Sequence, residues 1–155
     1  MNTEVVKIAD SLREILSGEP WYGKAALTLL NEVKPETVFN KYNERSHSLI
    51  DLIYHLVTWS EFVRKRLEKN QSEDMDVFEA LNWRETNTAM HTWNNGISEF
   101  TSETNKIIAI LNNATDELLE GKVDYREYNF RYLLNGLIQH TIYHLGQIAF
   151  INKMY

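Results

Sequence analysis

Residues 133–151 read LLNGLIQHTIYHLGQIAFI, a run with no proline and no Lys, Arg, Asp or Glu. Its apolar residues do not alternate as a half-buried strand requires. They recur at helical spacing instead. An α-helix turns by about 100° per residue, so taking His140 as origin puts Leu133 and Ile151 near about 20°, His144 near about 40° and Leu137 near about 60°. Gln147 falls on the other side of His140, near about −20°. The run therefore predicts a helix with one apolar stripe and both histidines on its inward flank. Side chains at i and i+4 stand about 6 Å apart at Cβ, close enough for two imidazoles to reach one ion. Extended to its natural limits this helix covers residues 129–153.

The same periodicity recurs upstream. Residues 2–17 carry Val5, Ile8, Ala9, Leu12, Ile15 and Leu16 on one stripe, with Gly18 expected as a C′ glycine. Pro20 opens a shorter segment, PWYGKAALTLLNEV, whose Ala25, Ala26, Leu29 and Leu30 can pack before Pro35 closes it. Residues 46–69 hold Leu49, Leu52, Leu56, Trp59, Val63 and Leu67, with Ser48 and Asp51 spaced as an acidic capping box. NQSEDMDV at 70–77 reads as a loop, and 78–92 gives no clear element. Residues 93–112 form a third long helix, with Gly96 weakening its first turn. Residues 113–128 read as a connection. Two prolines, six glycines and no hairpin dipeptide between apolar runs exclude a β architecture. Four long helices with one apolar stripe each predict an all-α four-helix bundle, a single domain over residues 1–155.

With no cysteine in 155 residues, disulfides, thiolate-bound zinc, iron–sulfur clusters and thiol nucleophiles are excluded, so any metal must be held by His, Asp, Glu or water. The net charge of −6 and the lack of a dense Lys/Arg patch argue against nucleic acid as a partner. No apolar run reaches the ~20 residues needed to cross a bilayer. The charged, amphipathic opening MNTEVVKIADSLREIL does not resemble a signal peptide. A soluble, cytoplasmic protein is expected.

His55 also points inward, since Trp59, Leu52 and Val63 share its side of the second long helix. Three inward imidazoles admit two readings. They are core histidines, each needing its own hydrogen-bond partner, or they are three ligands of one divalent ion, which satisfies three nitrogens together.

HSLIDLIYHLVTWSEF at 47–62, followed by LLNGLIQHTIYHLGQIAFI, resembles the DinB/YfiT-like family. Gly146-Gln147-Ile148 continues the family's H-x-G-Q-I ending, and EPWYGKAALTLL looks like its W-x-G element, with Tyr22 where some members have His. The resemblance implies that His55, His140 and His144 bind a divalent metal of nickel or zinc type, open to a pocket. It implies a bundle in up-down-down-up order and a homodimer. Relatives include S-transferases that use low-molecular-weight thiols, a thiol-using isomerase branch, and proteins assigned as hydrolases.

Three neutral imidazoles and a water make an open catalytic zinc site, and nickel would add waters. Such an ion acidifies bound water or takes a substrate thiol as thiolate. HTIYH lacks the Glu of H-E-x-x-H, which argues against zincin-type proteolysis. Gln147 is the candidate for orienting a ligand or substrate. Asp51 reads either as an outer partner of the site or as the capping carboxylate. Tyr143 suits packing or a dimer contact, His47 the surface beside the cap, and His91 solvent. Trp21, Trp59, Trp83 and Trp93 are expected in the core or pocket walls. The expected function is a metal-dependent thiol S-transferase or hydrolase acting on a small molecule. The alternative is a non-catalytic, stress-associated dimer that binds metal.

Overall fold

A computed structural model describes residues 3–69 and 75–155. It contains six α-helices: α1 (Glu4–Ser17), α2 (Ala26–Asn31), α3 (Leu49–Leu67), α4 (Met75–Leu81), α5 (Trp93–Asn112) and α6 (Phe130–Asn152). Short 3₁₀ turns lie at Pro35–Thr37 and Asp116–Glu120. Among the described residues there is no β-strand, only an isolated bridge between Lys122 and Asn129. None of the helices is long and apolar enough to cross a membrane.

The four long helices form a ring in which α5 lies between α1 and α3, and α6 closes the circle between α3 and α1. Each long helix except α1 starts on its own capping side chain: Ser48, Thr92 and Asn129 accept from the backbone N–H groups of Asp51, Asn95 and Tyr132. Thr3 makes no such bond, and α1 borrows a cap from the far side of the sequence. The Asp116 carboxylate accepts from the N–H groups of Thr3, Glu4 and Val5 at 3.1, 3.1 and 2.8 Å.

Three local expectations change. The second long helix begins at Leu49 rather than at 46, because Ser48 caps it. The stretch 70–77 is not wholly a loop: α4 begins at Met75, while 70–74 lie outside the described residues. Gly18 ends α1 with φ −88°, outside the left-handed region. A Cβ there would lie 2.8 Å from Glu14 Cα, so glycine is needed for space rather than for a C′ turn. The glycine that does require positive φ is Gly23, at 142°.

The core falls into two apolar clusters. One gathers Ile15 and Leu16 with Leu49, Ile50, Leu52, Ile53, Leu56, Trp93, Phe100, Leu145 and Ile148. The other gathers Val5, Ile8, Ala9 and Leu12 with Phe62, Val63, Ile107, Leu111, Phe130, Leu134 and Leu137. The bundle also buries polar side chains, among them Thr58 and Ser60 of α3, Thr104 of α5, and Thr141 and His144 of α6. α3 is buried on nearly every side from Leu49 to Thr58, which marks it as the central helix and explains its weakly amphipathic sequence.

Candidate metal centre

His55, from central helix α3, meets His140 and His144 of α6. One ring nitrogen from each lies within 4.8 Å of the others. The Nε2 atoms of His55 and His140 are 2.8 Å apart, and the ring centroids of His144 lie 4.5 Å from both neighbours. The sequence spacing therefore brings together all three predicted side chains.

Their other nitrogens fix which lone pairs face inward. His55 Nδ1–H donates to the backbone carbonyl of Asn82 at 2.9 Å, leaving its lone pair on Nε2. The short contact to His140 is then closed by a proton on His140 Nε2, the proton a cation would replace. His144 Nδ1–H donates to Gln147 Oε1 at 2.6 Å, which likewise turns Nε2 inward. Gln147, expected to orient a ligand or substrate, thus bonds one of the three imidazoles and also lines a cleft.

Burial keeps the three rings neutral. It lowers the His55 pKa to about 4, against the pull of the Asn82 carbonyl. It lowers His140 to about 3, helped by the neighbouring His144 and His55. His144 is lowered for the same reason, with the Gln147 bond opposing. Neutral imidazole is the form that donates a lone pair to a metal. Among the described residues no carboxylate bonds any of the three rings. Inward nitrogens, tautomers fixed at two of the rings and neutrality fit a divalent ion whose charge the protein does not cancel.

The segment after α4 holds His55 in place. Leu81 O accepts from Thr58 Oγ1 at 3.2 Å, Asn82 Oδ1 accepts from Trp59 Nε1 at 2.8 Å, and Arg84 donates to Thr58. Trp83 stacks on His55 with ring centroids 3.8 Å apart, and His47 stacks on its other face at 3.6 Å. Asn82 was not among the residues expected at the site, while His47, expected at the surface beside the cap, is exposed there and adds the stack on Trp83. The Asn82 contact uses a backbone carbonyl, which leaves no sequence signal. Aromatic Trp83 next to a basic residue was the available hint.

The other polar candidates resolve as follows. Asp51 is the capping carboxylate, accepting from Ser48 N, and also from the Thr86 hydroxyl and Lys41. It bonds none of the three histidines. His91 is not fully solvent-facing: it meets Tyr54 edge-on at 4.7 Å. Trp93 is core and Trp59 a cleft wall, but Trp21 is fully exposed, contrary to expectation.

One cleft reaches His140 and another reaches Gln147. The first, of about 200 Å³, is apolar, with Trp59, Phe62, Tyr132, Leu137 and His140 among its walls. The other, of about 500 Å³, is more polar and is lined by Arg45, His47, Tyr143, Gln147 and Phe150.

Comparison with curated proteins found no match, and neither did comparison with solved structures. A family model described as DinB superfamily matches residues 23–148, a span that includes all three histidines and most of the chain. With that match standing on a helical bundle and a buried three-histidine cluster, the chain belongs to the DinB superfamily.

Proposed function

We propose that this protein is a metal-dependent enzyme acting on a small molecule, with His55, His140 and His144 holding one divalent ion of zinc or nickel type. The observation that carries the reading is the convergence of three neutral imidazoles, two of them held with a lone pair inward. When bound by three neutral ligands, such an ion keeps its full charge toward a fourth position and supplies a hydroxide or a thiolate at neutral pH. The chain's own residues do the rest. Asn82 and Gln147 hold the ring orientations, and Trp83 covers His55 from the outside. The reaction is transfer to or from a low-molecular-weight thiol, or hydrolysis. A protein with no cysteine of its own suits a thiol that arrives as substrate. The cytoplasm, where such thiols stay reduced, is the fitting compartment.

Two further properties go with this reading. Tyr143 and Phe150 stand exposed two turns apart on α6, which supports a homodimer through that face. Light scattering that gives one chain's mass at micromolar concentration would overturn it. The up-down-down-up order is supported by Tyr54 and Arg64 of α3 meeting Thr92 and Glu103 in the same direction along α5, and by Glu4 of α1 meeting Arg131 of α6.

Elemental analysis of untagged protein tests the site. About one zinc- or nickel-type ion per chain is expected, and none in His140→Ala. Full occupancy in that variant would remove His140 from the ligand set, and no metal in the wild type would leave a plain bundle with core histidines.

A further inference from the structure

Helix α6 runs unbroken from Phe130 to Asn152, yet it carries a glycine at 136. Glycine in a helix interior is unfavourable relative to alanine, so it calls for a cause. Close packing is the usual one, and it accounts for Gly96 on α5, where a Cβ would sit 2.8 Å from Ile53 Cγ2. It does not account for Gly136, where a Cβ would meet nothing within 4 Å. Gly146 is equally unobstructed, but it is exposed and lines the wider, more polar cleft rather than the apolar one. Gly136 is half-buried and lines the apolar cleft together with Trp59, Leu133 and His140.

We propose that this cleft is a substrate subsite for one apolar group of about the size of an aromatic ring, and that Gly136 is the specificity-determining residue that keeps it open. Its volume of about 200 Å³ exceeds the ~150 Å³ that lets an apolar protein cavity hold benzene. Its walls are almost wholly hydrocarbon and aromatic, so a charged or strongly polar group entering it would lose water without gaining partners. The exposed Tyr132 and its neighbour Tyr128, with rings 4.8 Å apart, flank the solvent side. His140, one of the three clustered imidazoles, forms part of the wall, so a group lodged here lies beside that cluster. The proposal rests on the metal-site reading only for what happens beside His140, since binding in the slot does not require an ion.

The test is ¹⁹F NMR with 4-fluorobenzyl alcohol as probe and fluoroacetate as a polar control, on protein as purified. Wild type is expected to broaden the probe signal and leave the control sharp. Gly136→Leu, which fills the slot from its wall, is expected to weaken probe binding at least tenfold, and Gly136→Ala a few-fold. The alanine variant keeps the test alive if the leucine variant does not fold. No broadening by wild type, equal broadening of fluoroacetate, or undiminished binding in the variants would overturn the proposal. Metal content measured on the same samples separates the two readings. Probe binding without metal sinks the metal site and keeps the slot. Metal without probe binding does the reverse.

Discussion

His55 donates its Nδ1 proton to a backbone carbonyl, and His144 donates its own to Gln147, so a lone pair is held inward at two rings whatever the bulk pH near neutrality. Outer partners of this kind tune metal affinity by about 10–100-fold. Gln147→Ala frees the His144 ring and should weaken metal binding within that range while leaving the fold intact, as read by competition with a chromophoric chelator. Unchanged affinity would leave Gln147 with its place in the cleft alone. The same rings make stability depend on pH. In the unfolded chain a histidine protonates near 6.5, but in the fold His55 and His140 resist until about 4 and about 3. Between those values the unfolded state binds more protons, so stability rises with pH through the window. The contribution is complete above the ordinary histidine value and is lost as pH falls toward 4. Metal-free protein should therefore show a urea midpoint that declines from pH 7 to pH 5, above the range where carboxylates titrate. His140→Gln should flatten the decline, and a midpoint that does not change over that range in wild type would show that the rings are not kept neutral.

Among the elements, α5 and α6 put the same residue to opposite uses. Gly96 lets α5 press against Ile53 and Tyr54, next to His55 on α3, so Gly96→Ala forces Ile53 to move. Overpacking of this sort costs about 1–3 kcal/mol. Gly136→Ala adds a methyl where nothing stands in its way, and the helix should gain about 1 kcal/mol, or about 2–4 °C in Tm for a chain of this length. Thermal unfolding should thus give shifts of opposite sign for the two alanine variants, and a common sign would contradict the packing described for one of them. The long helices were legible because each repeats one apolar stripe for several turns. The two histidines of α6 were legible because they share its phase with Leu133 and Leu137. Helix α4 was not, since it is one of the short elements and buries Phe78 alone. Nor was the Asn82–Trp83 brace, because it joins residues 27 positions apart through a carbonyl oxygen that every residue type has. The exposed Trp21 was misplaced for the converse reason: hydrophobicity argues for burial only where a neighbouring element exists to cover it.

At the scale of the whole molecule, the three histidines belong to neither apolar cluster and place polar rings between α3 and α6. Polar rings gain little from the hydrophobic effect, and their direct hydrogen bond between α3 and α6 is the contact between His55 and His140. An ion held by His55 on one helix and by His140 and His144 on the other would bind the folded ring and not the dispersed chain. Its stabilisation then follows mass action, about 2.7 kcal/mol when the free ion is at about 100 times its Kd. For a chain of this length that is roughly 5–10 °C in Tm. Scanning calorimetry of wild type should show a drop of that order on adding excess EDTA and recovery on returning zinc or nickel above the chelator. His140→Ala, with one arm gone, should melt at the same temperature with and without EDTA. Gly136→Ala, which alters the slot and not the cluster, should keep the full shift. A wild-type midpoint that ignores both chelator and metal would mean that the imidazoles brace α3 against α6 by their own hydrogen bond, and the histidine cluster would then be structural.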